Sequence, residues 1–108
     1  MSPSPPYCRV RGRIVDRWTR QPVEATVEYE TYWGTRSMEE ISFVAQDGLF
    51  DLESIGDSFV IRILVDGELV MTIDSSIVEE YYYSVERSYS VSVFSPARWE
   101  YNFGTIEI

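Results

Sequence analysis

Seven aromatic side chains are the residues best suited to act at a surface: Trp18, Tyr32, Trp33, Trp99 and the run Tyr81-Tyr82-Tyr83. Each falls in or beside a stretch that reads as a turn, where an exposed ring can stack on a sugar or anchor a protein contact. The acids are the other candidates. Asp16, Asp47 and Asp51 fall near predicted strand ends, where clustered oxygens can hold calcium. No loop has the regular acidic spacing of a calcium-binding loop, and Asp-Gly chemistry already explains such residues as turn formers. Glu24, Glu28, Glu30, Glu79 and Glu80 offer carboxylate pairs of the kind that cleave glycosides. They fall on outward positions or in a loop, where a solvated acid is the ordinary outcome. The 108 residues include no histidine and one cysteine, so Ser-His-Asp, Cys-His and the common zinc arrangements cannot be assembled from this chain. No catalytic residue, metal site or cofactor is expected.

The elements that must carry these residues follow from period. From Arg9 to Ile14 the chain alternates strictly, with Val10, Gly12 and Ile14 on one side and Arg9, Arg11 and Arg13 on the other, which is a half-buried strand. Cys8, beside it, reads as a small hydrophobe opening that strand. After the turn Thr19-Arg20-Gln21-Pro22, Val23, Ala25, Val27 and Tyr29 fall on one face against Glu24, Glu28 and Glu30. Gly34 breaks the chain before a third strand with Ile41, Phe43 and Ala45 inward and Glu40, Ser42 and Val44 outward. Asp47-Gly48 is a turn dipeptide whose residues tolerate positive φ, and Asp66-Gly67 is the strongest short-range hairpin signal in the chain. Between them Phe50 and Leu52 alternate, and Phe59 to Val65 is apolar on both faces except at Arg62, as a central strand requires. Leu69, Met71 and Ile73 return on alternate positions. Ile77 to Arg87 has no clear period. Tyr89, Val91 and Val93 then face the core while the alternating serines face water, Ser95 to Arg98 reads as a loop, and an apolar face that switches across Gly104 suggests a bulge. Seven or eight short strands without a useful amphipathic helix indicate an all-β sandwich or a small barrel.

Composition narrows the partners. A formal charge of -9 repels phosphate backbones, which excludes nucleic acid as a partner. Every basic residue is an arginine. The most apolar run, Phe59 to Val65, is too short to cross a membrane, so no membrane insertion is expected. With a single cysteine no internal disulfide can form, and one domain spanning residues 7–108 must stand on its core. Met1 to Pro6 has neither the basic start nor the apolar core of a signal peptide and reads as a flexible, Pro-rich arm.

The order of landmarks resembles the carboxypeptidase regulatory-like domain, a transthyretin-like (prealbumin-like) β-sandwich. The segments that carry the likeness are Val10-Arg11-Gly12-Arg13-Ile14-Val15-Asp16, Thr19, Pro22-Val23, Ala25-Thr26-Val27, Asp47-Gly48-Leu49-Phe50-Asp51-Leu52 and Phe103-Gly104-Thr105-Ile106-Glu107-Ile108. Arg20 and Glu24 stand where the family usually has glycine, and Gly67 is followed by Glu68 rather than Tyr. The resemblance implies a two-sheet antiparallel sandwich, transthyretin-like or Ig-like. It also implies a non-catalytic accessory: a positioning module, a part of a surface protein or a building block of an assembly.

The expected function is a structural or interaction module whose partner is protein, copies of itself included, as in a filament, coat or surface structure. An extracellular or particle-surface setting goes with that expectation. The alternative is a carbohydrate-binding module with a glycan stacked on Trp18, Trp33 and the tyrosine run.

Overall fold

The alternation of arginine and apolar residues from Arg9 to Ile14 becomes the second strand of a sheet, buried on the apolar side and exposed on the arginine side. The computed structural model describes residues 5–76, 86–92 and 95–108. The strands are β1 (Tyr7–Val15), β2 (Ala25–Trp33), β3 (Arg36–Ala45), β4 (Leu49–Ile55), β5 (Ser58–Val65), β6 (Glu68–Asp74), β7 (Glu86–Ser92) and β8 (Ser95–Glu107). They form two four-stranded sheets, ordered β4-β1-β8-β7 and β3-β2-β5-β6. The chain is an all-β, two-sheet sandwich, and no helix occurs among the described residues.

All pairings are antiparallel except β1 with β8, which run parallel. Alternation within a strand cannot reveal this, because the period of two is the same in either orientation. Residues 95–98, read from sequence as a loop, belong to β8, where Arg98 is in register with both Tyr7 and Ser90. Pairing on two sides overrides the local turn signal. Gly104, at φ 61°, sits where the β1–β8 register shifts between Arg11 and Arg13, which is the bulge that the switched face foretold.

One core joins the sheets. Val10, Ile14, Phe50, Phe103 and Ile106 from the first meet Val27, Tyr29, Phe59, Ile61 and Ile73 from the second. Phe59 packs edge-on against Tyr101 and Phe103, at centroid distances of 4.9 and 6.2 Å. Gly12 leaves room for side chains rather than for a neighbouring backbone: a Cβ there would lie 3.1 Å from the Phe50 ring and 3.3 Å from the Phe103 Cβ. Gly48, at φ 71°, is seated so tightly on Ile14 that a Cβ would collide with the Ile14 carbonyl oxygen. The same carbonyl-bearing residue donates its amide to the Gly48 carbonyl at 2.8 Å, fixing the corner from which Phe50 enters the core.

Leu69 departs from the expected pattern. The β5–β6 register shifts between Ile63 and Leu64, so Leu64 pairs with Leu69 while Ile63 pairs with Met71. The extra residue, Val70, turns Leu69 to the outer face, where it is exposed. Tyr89, expected inward, is 52% exposed. It lies on an edge strand, and its ring rests on that of its register partner Trp99, with centroids 4.4 Å apart.

Candidate functional site

The sandwich has two distinct ends, and the topology places Trp18 at one of them and Tyr32 and Trp33 at the other. β1 enters the turn after Val15 and β2 leaves it at Ala25, so Trp18, Gly48, Gly67 and Ile108 gather at one end, tied by Ile14–Gly48 and Ile108–Val15 backbone hydrogen bonds. The other end holds the Gly34 turn, Gly56 and Pro6, tied by the Gly56 amide to the Pro6 carbonyl at 2.7 Å and the Asp57 amide to the Tyr32 carbonyl at 2.8 Å. Trp33 closes β2 there. β2 is nine residues long, so Trp18 and Trp33 stand about 25 Å or more apart. They do not share a stacking platform. Tyr32 lies next to Trp33, and its hydroxyl bonds to Glu30, which raises the phenol's pKa. Trp99 lies within β8, not in a loop, and Tyr81, Tyr82 and Tyr83 fall outside the described residues.

Of the acids, Asp51 lies within β4 rather than in a turn, and Glu79 and Glu80 fall outside the described residues. Asp51 accepts two hydrogen bonds from Arg9, at 2.8 and 2.7 Å, and this guanidinium holds its carboxyl below the usual range. A carboxylate so stabilised is a poor proton acceptor. Arg9 also reaches Glu100 at 3.5 Å, and Arg98 pairs with Glu53 at 2.9 Å, so the outer face of β4-β1-β8 is a lattice of exposed ion pairs. An open depression of about 600 Å³ lies on it around Arg11, Leu49 and Asn102. On the other sheet's outer face Glu30 accepts from Arg62 at 3.3 Å. Among the described residues no group of three or more acids, or of acids with the cysteine, is placed to hold a metal ion. Thr31 and Ser54 are buried polar residues in the seam; Thr31 bonds to Ser54, whose hydroxyl in turn donates to Glu39.

What the structure adds is the character of the Trp18 end. Of the six exposed large apolar side chains among the described residues, Trp18, Val44, Leu49, Leu69 and Val70 surround this end, and only Tyr89 lies elsewhere. Val44, Thr26, Leu64 and Leu69 form one row across the second sheet's outer face by register. At the mouth between the sheets, a slot of about 300 Å³ is lined by Val23, Val65, Val70, Met71 and Ile108, with Asp16 and Arg17 at its rim.

Trp18 is 86% exposed, yet its turn is rigidly built. The Asp16 carboxylate accepts the amides of Trp18 and Thr19, both at 2.8 Å. The Arg20 amide donates to the Asp16 carbonyl at 2.8 Å, and the Asp16 amide to the Gln21 carbonyl at 2.9 Å. Arg17 donates its amide to the Ile108 carbonyl, and Arg20 forms an ion pair with Glu107. The turn thus begins at Asp16, earlier than the sequence suggested, because its side chain caps two amides as an Asx turn does. Those hydrogen bonds lower the pKa of Asp16.

No family model and no curated protein matches the sequence. Solved structures that share the fold include two dioxygenases. The dioxygenase domain of a dioxygenase–carbohydrate-binding protein fusion from the cellulolytic bacterium Streptomyces sp. SirexAA-E superposes with a TM-score of 0.57 at 12% identity, over 100% of this chain and 92% of that one. A 3-chlorocatechol 1,2-dioxygenase from Rhodococcus opacus 1CP gives 0.59 at 9% identity, over 96% of this chain. This chain spans 60% of the length of that enzyme. At these identities the likeness is one of fold.

The slot was not legible in the sequence. Val70 and Met71 are successive residues that both line it, which a regular strand forbids and the β5–β6 irregularity permits. The only forewarning was Trp18 itself, beside a turn.

Proposed function

We propose that this domain is a non-catalytic interaction module that associates with copies of itself through the Trp18 end of the sandwich. One observation carries the reading: exposed apolar side chains from both sheets converge on that end. Scattered single hydrophobics are normal on a surface, but a gathered set next to an apolar slot is the composition of a contact site. A tryptophan on a hydrogen-bonded turn suits it further, since little backbone entropy is lost when its ring is covered. The carboxypeptidase regulatory-like resemblance supports the same reading, as it implies an accessory or building block. The edge strands β3, β4, β6 and β7 offer unpaired backbone groups by which such a unit can extend into a filament or coat.

The test is mass against concentration by light scattering after size exclusion. The expected result is a weight-average mass that rises above the 12.6 kDa monomer as concentration increases. A monomer at every concentration, including near the solubility limit, overturns the proposal.

A further inference from the structure

The geometry points to a closed, twofold pair in which Trp18 of each copy enters the slot between the sheets of the other; this rests on the self-association proposed above. The slot and the ring are complementary in kind. The slot is lined by Val23, Val65, Val70, Met71 and Ile108, and its volume of about 300 Å³ falls at the small end of ligand sites, the size of one ring system. The Trp18 ring, 86% exposed, does not fill the slot of its own chain, although the two are neighbours: Arg17, adjacent in sequence, is on the slot rim. The Asp16-capped turn carries this exposed ring.

Symmetry follows from placement. Ring and slot lie at the same end of one molecule, so a copy that inserts its ring presents its own slot to the partner's ring. Such a contact is reciprocal and closes as a pair, whereas a ring and slot at opposite ends would propagate a filament. Charge sets a condition on the approach, since each chain carries a net -9. Around the turn Asp16 and Glu107 are balanced by Arg17 and Arg20, but Glu24, Asp47, Asp66 and Glu68 belong to the same end, so the facing ends repel and the pair tightens as salt rises.

Area sets the strength. The molecule measures 51 × 25 × 23 Å, and β8, at 13 residues, is longer than either short dimension, so the strands follow the long axis. An end-to-end contact across a 25 × 23 Å section removes at most roughly 1,200 Å² in total, the lower bound for a specific interface. The pair is therefore weak and depends on a few residues, with Trp18 the central one.

Sedimentation velocity on the full chain tests this with Trp18→Ala, Val70→Glu and an equimolar mixture of the two. Both positions are exposed, so both variants retain the wild-type melting transition. Each alone is expected to raise the dissociation constant about tenfold or more. The mixture regains part of the association, because the Val70→Glu copy still brings its tryptophan to the intact slot of the Trp18→Ala copy. A wild-type pair unaffected by either substitution, or a mixture no better than its components, overturns the reciprocal insertion while leaving self-association standing. Wild-type protein that never pairs overturns the self-association itself.

Discussion

The Tyr29 hydroxyl donates to the Cys8 carbonyl at 2.7 Å, across the interior, and so ties β2 of one sheet to β1 of the other. Both residues are fully buried, and Phe59 packs at 6.2 Å from the Tyr29 ring. The bond joins the Thr31–Ser54 hydrogen bond as a polar tie between two faces that otherwise meet through apolar side chains.

Replacing Tyr29 by Phe keeps the ring and removes the tie. The expected loss is about 1–2 kcal/mol, because a buried carbonyl loses a donor that no water replaces. Urea denaturation at unchanged m-value measures it. A loss under a few tenths of a kcal/mol contradicts the assigned role.

Gly48 and Gly67 both have positive φ, at 71° and 79°, but only Gly48 is crowded. Ala at Gly67 is expected to cost about 1 kcal/mol, the left-handed penalty alone. Ala at Gly48 adds a collision with the Ile14 carbonyl and is expected to cost about 3 kcal/mol or more. Equal melting temperatures for the two variants count against the packing described for the Asp47-Gly48 corner.

Burial pushes the Cys8 thiol from its usual 9.0 up to about 12 and raises the Tyr29 phenol above its usual 10.0. Both groups are therefore neutral in the folded protein through the pH range in which they ionise in the unfolded chain. A raised folded pKa contributes stability below the unfolded value and loses it as pH rises. Stability should fall steadily above about pH 9, and the Cys8→Ala, Tyr29→Phe double variant should show a shallower fall. Thiol labelling of native protein at pH 8 should proceed only as fast as the chain opens.

Asp16 carries the opposite sign. Its carboxyl is held down by the Thr19 and Trp18 amides, so its contribution is present above the ordinary carboxylate range and is lost as pH falls below it. Asp16→Ala should loosen the turn at every pH and weaken self-association, while Asp16→Asn, whose carbonyl oxygen can still accept, should retain much of it. Amide exchange at Trp18 and Thr19 reads the difference. Protection unchanged in Asp16→Ala excludes the cap.

Much of the fold was legible because half-buried strands write their orientation into alternate residues. Val10 and Ile14 against Arg9, Arg11 and Arg13, or Val27 and Tyr29 against Glu28 and Glu30, could be read directly, and the two Asp-Gly turns fell where φ is positive beside them. Leu69 was misread because one inserted residue, Val70, reverses the alternation without a sequence mark. The aromatics were recognised as surface candidates, but their grouping was not: Trp18 and Trp33 are 15 positions apart in sequence and lie at opposite ends of a strand.

The sequence by itself determined most of the side chains that enter the interior, the two Asp-Gly turns, and that a histidine-free chain cannot assemble a Ser-His-Asp triad. These are local properties of residue type and period. Only the tertiary structure decided that β1 and β8 run parallel, that Ile108 and Val23 meet Val70 across the mouth of the sandwich, and that Trp18 stands beside the slot they form. Those relations join residues far apart in the chain, and they are set by which strands pair and where a register slips, neither of which is encoded in any single stretch.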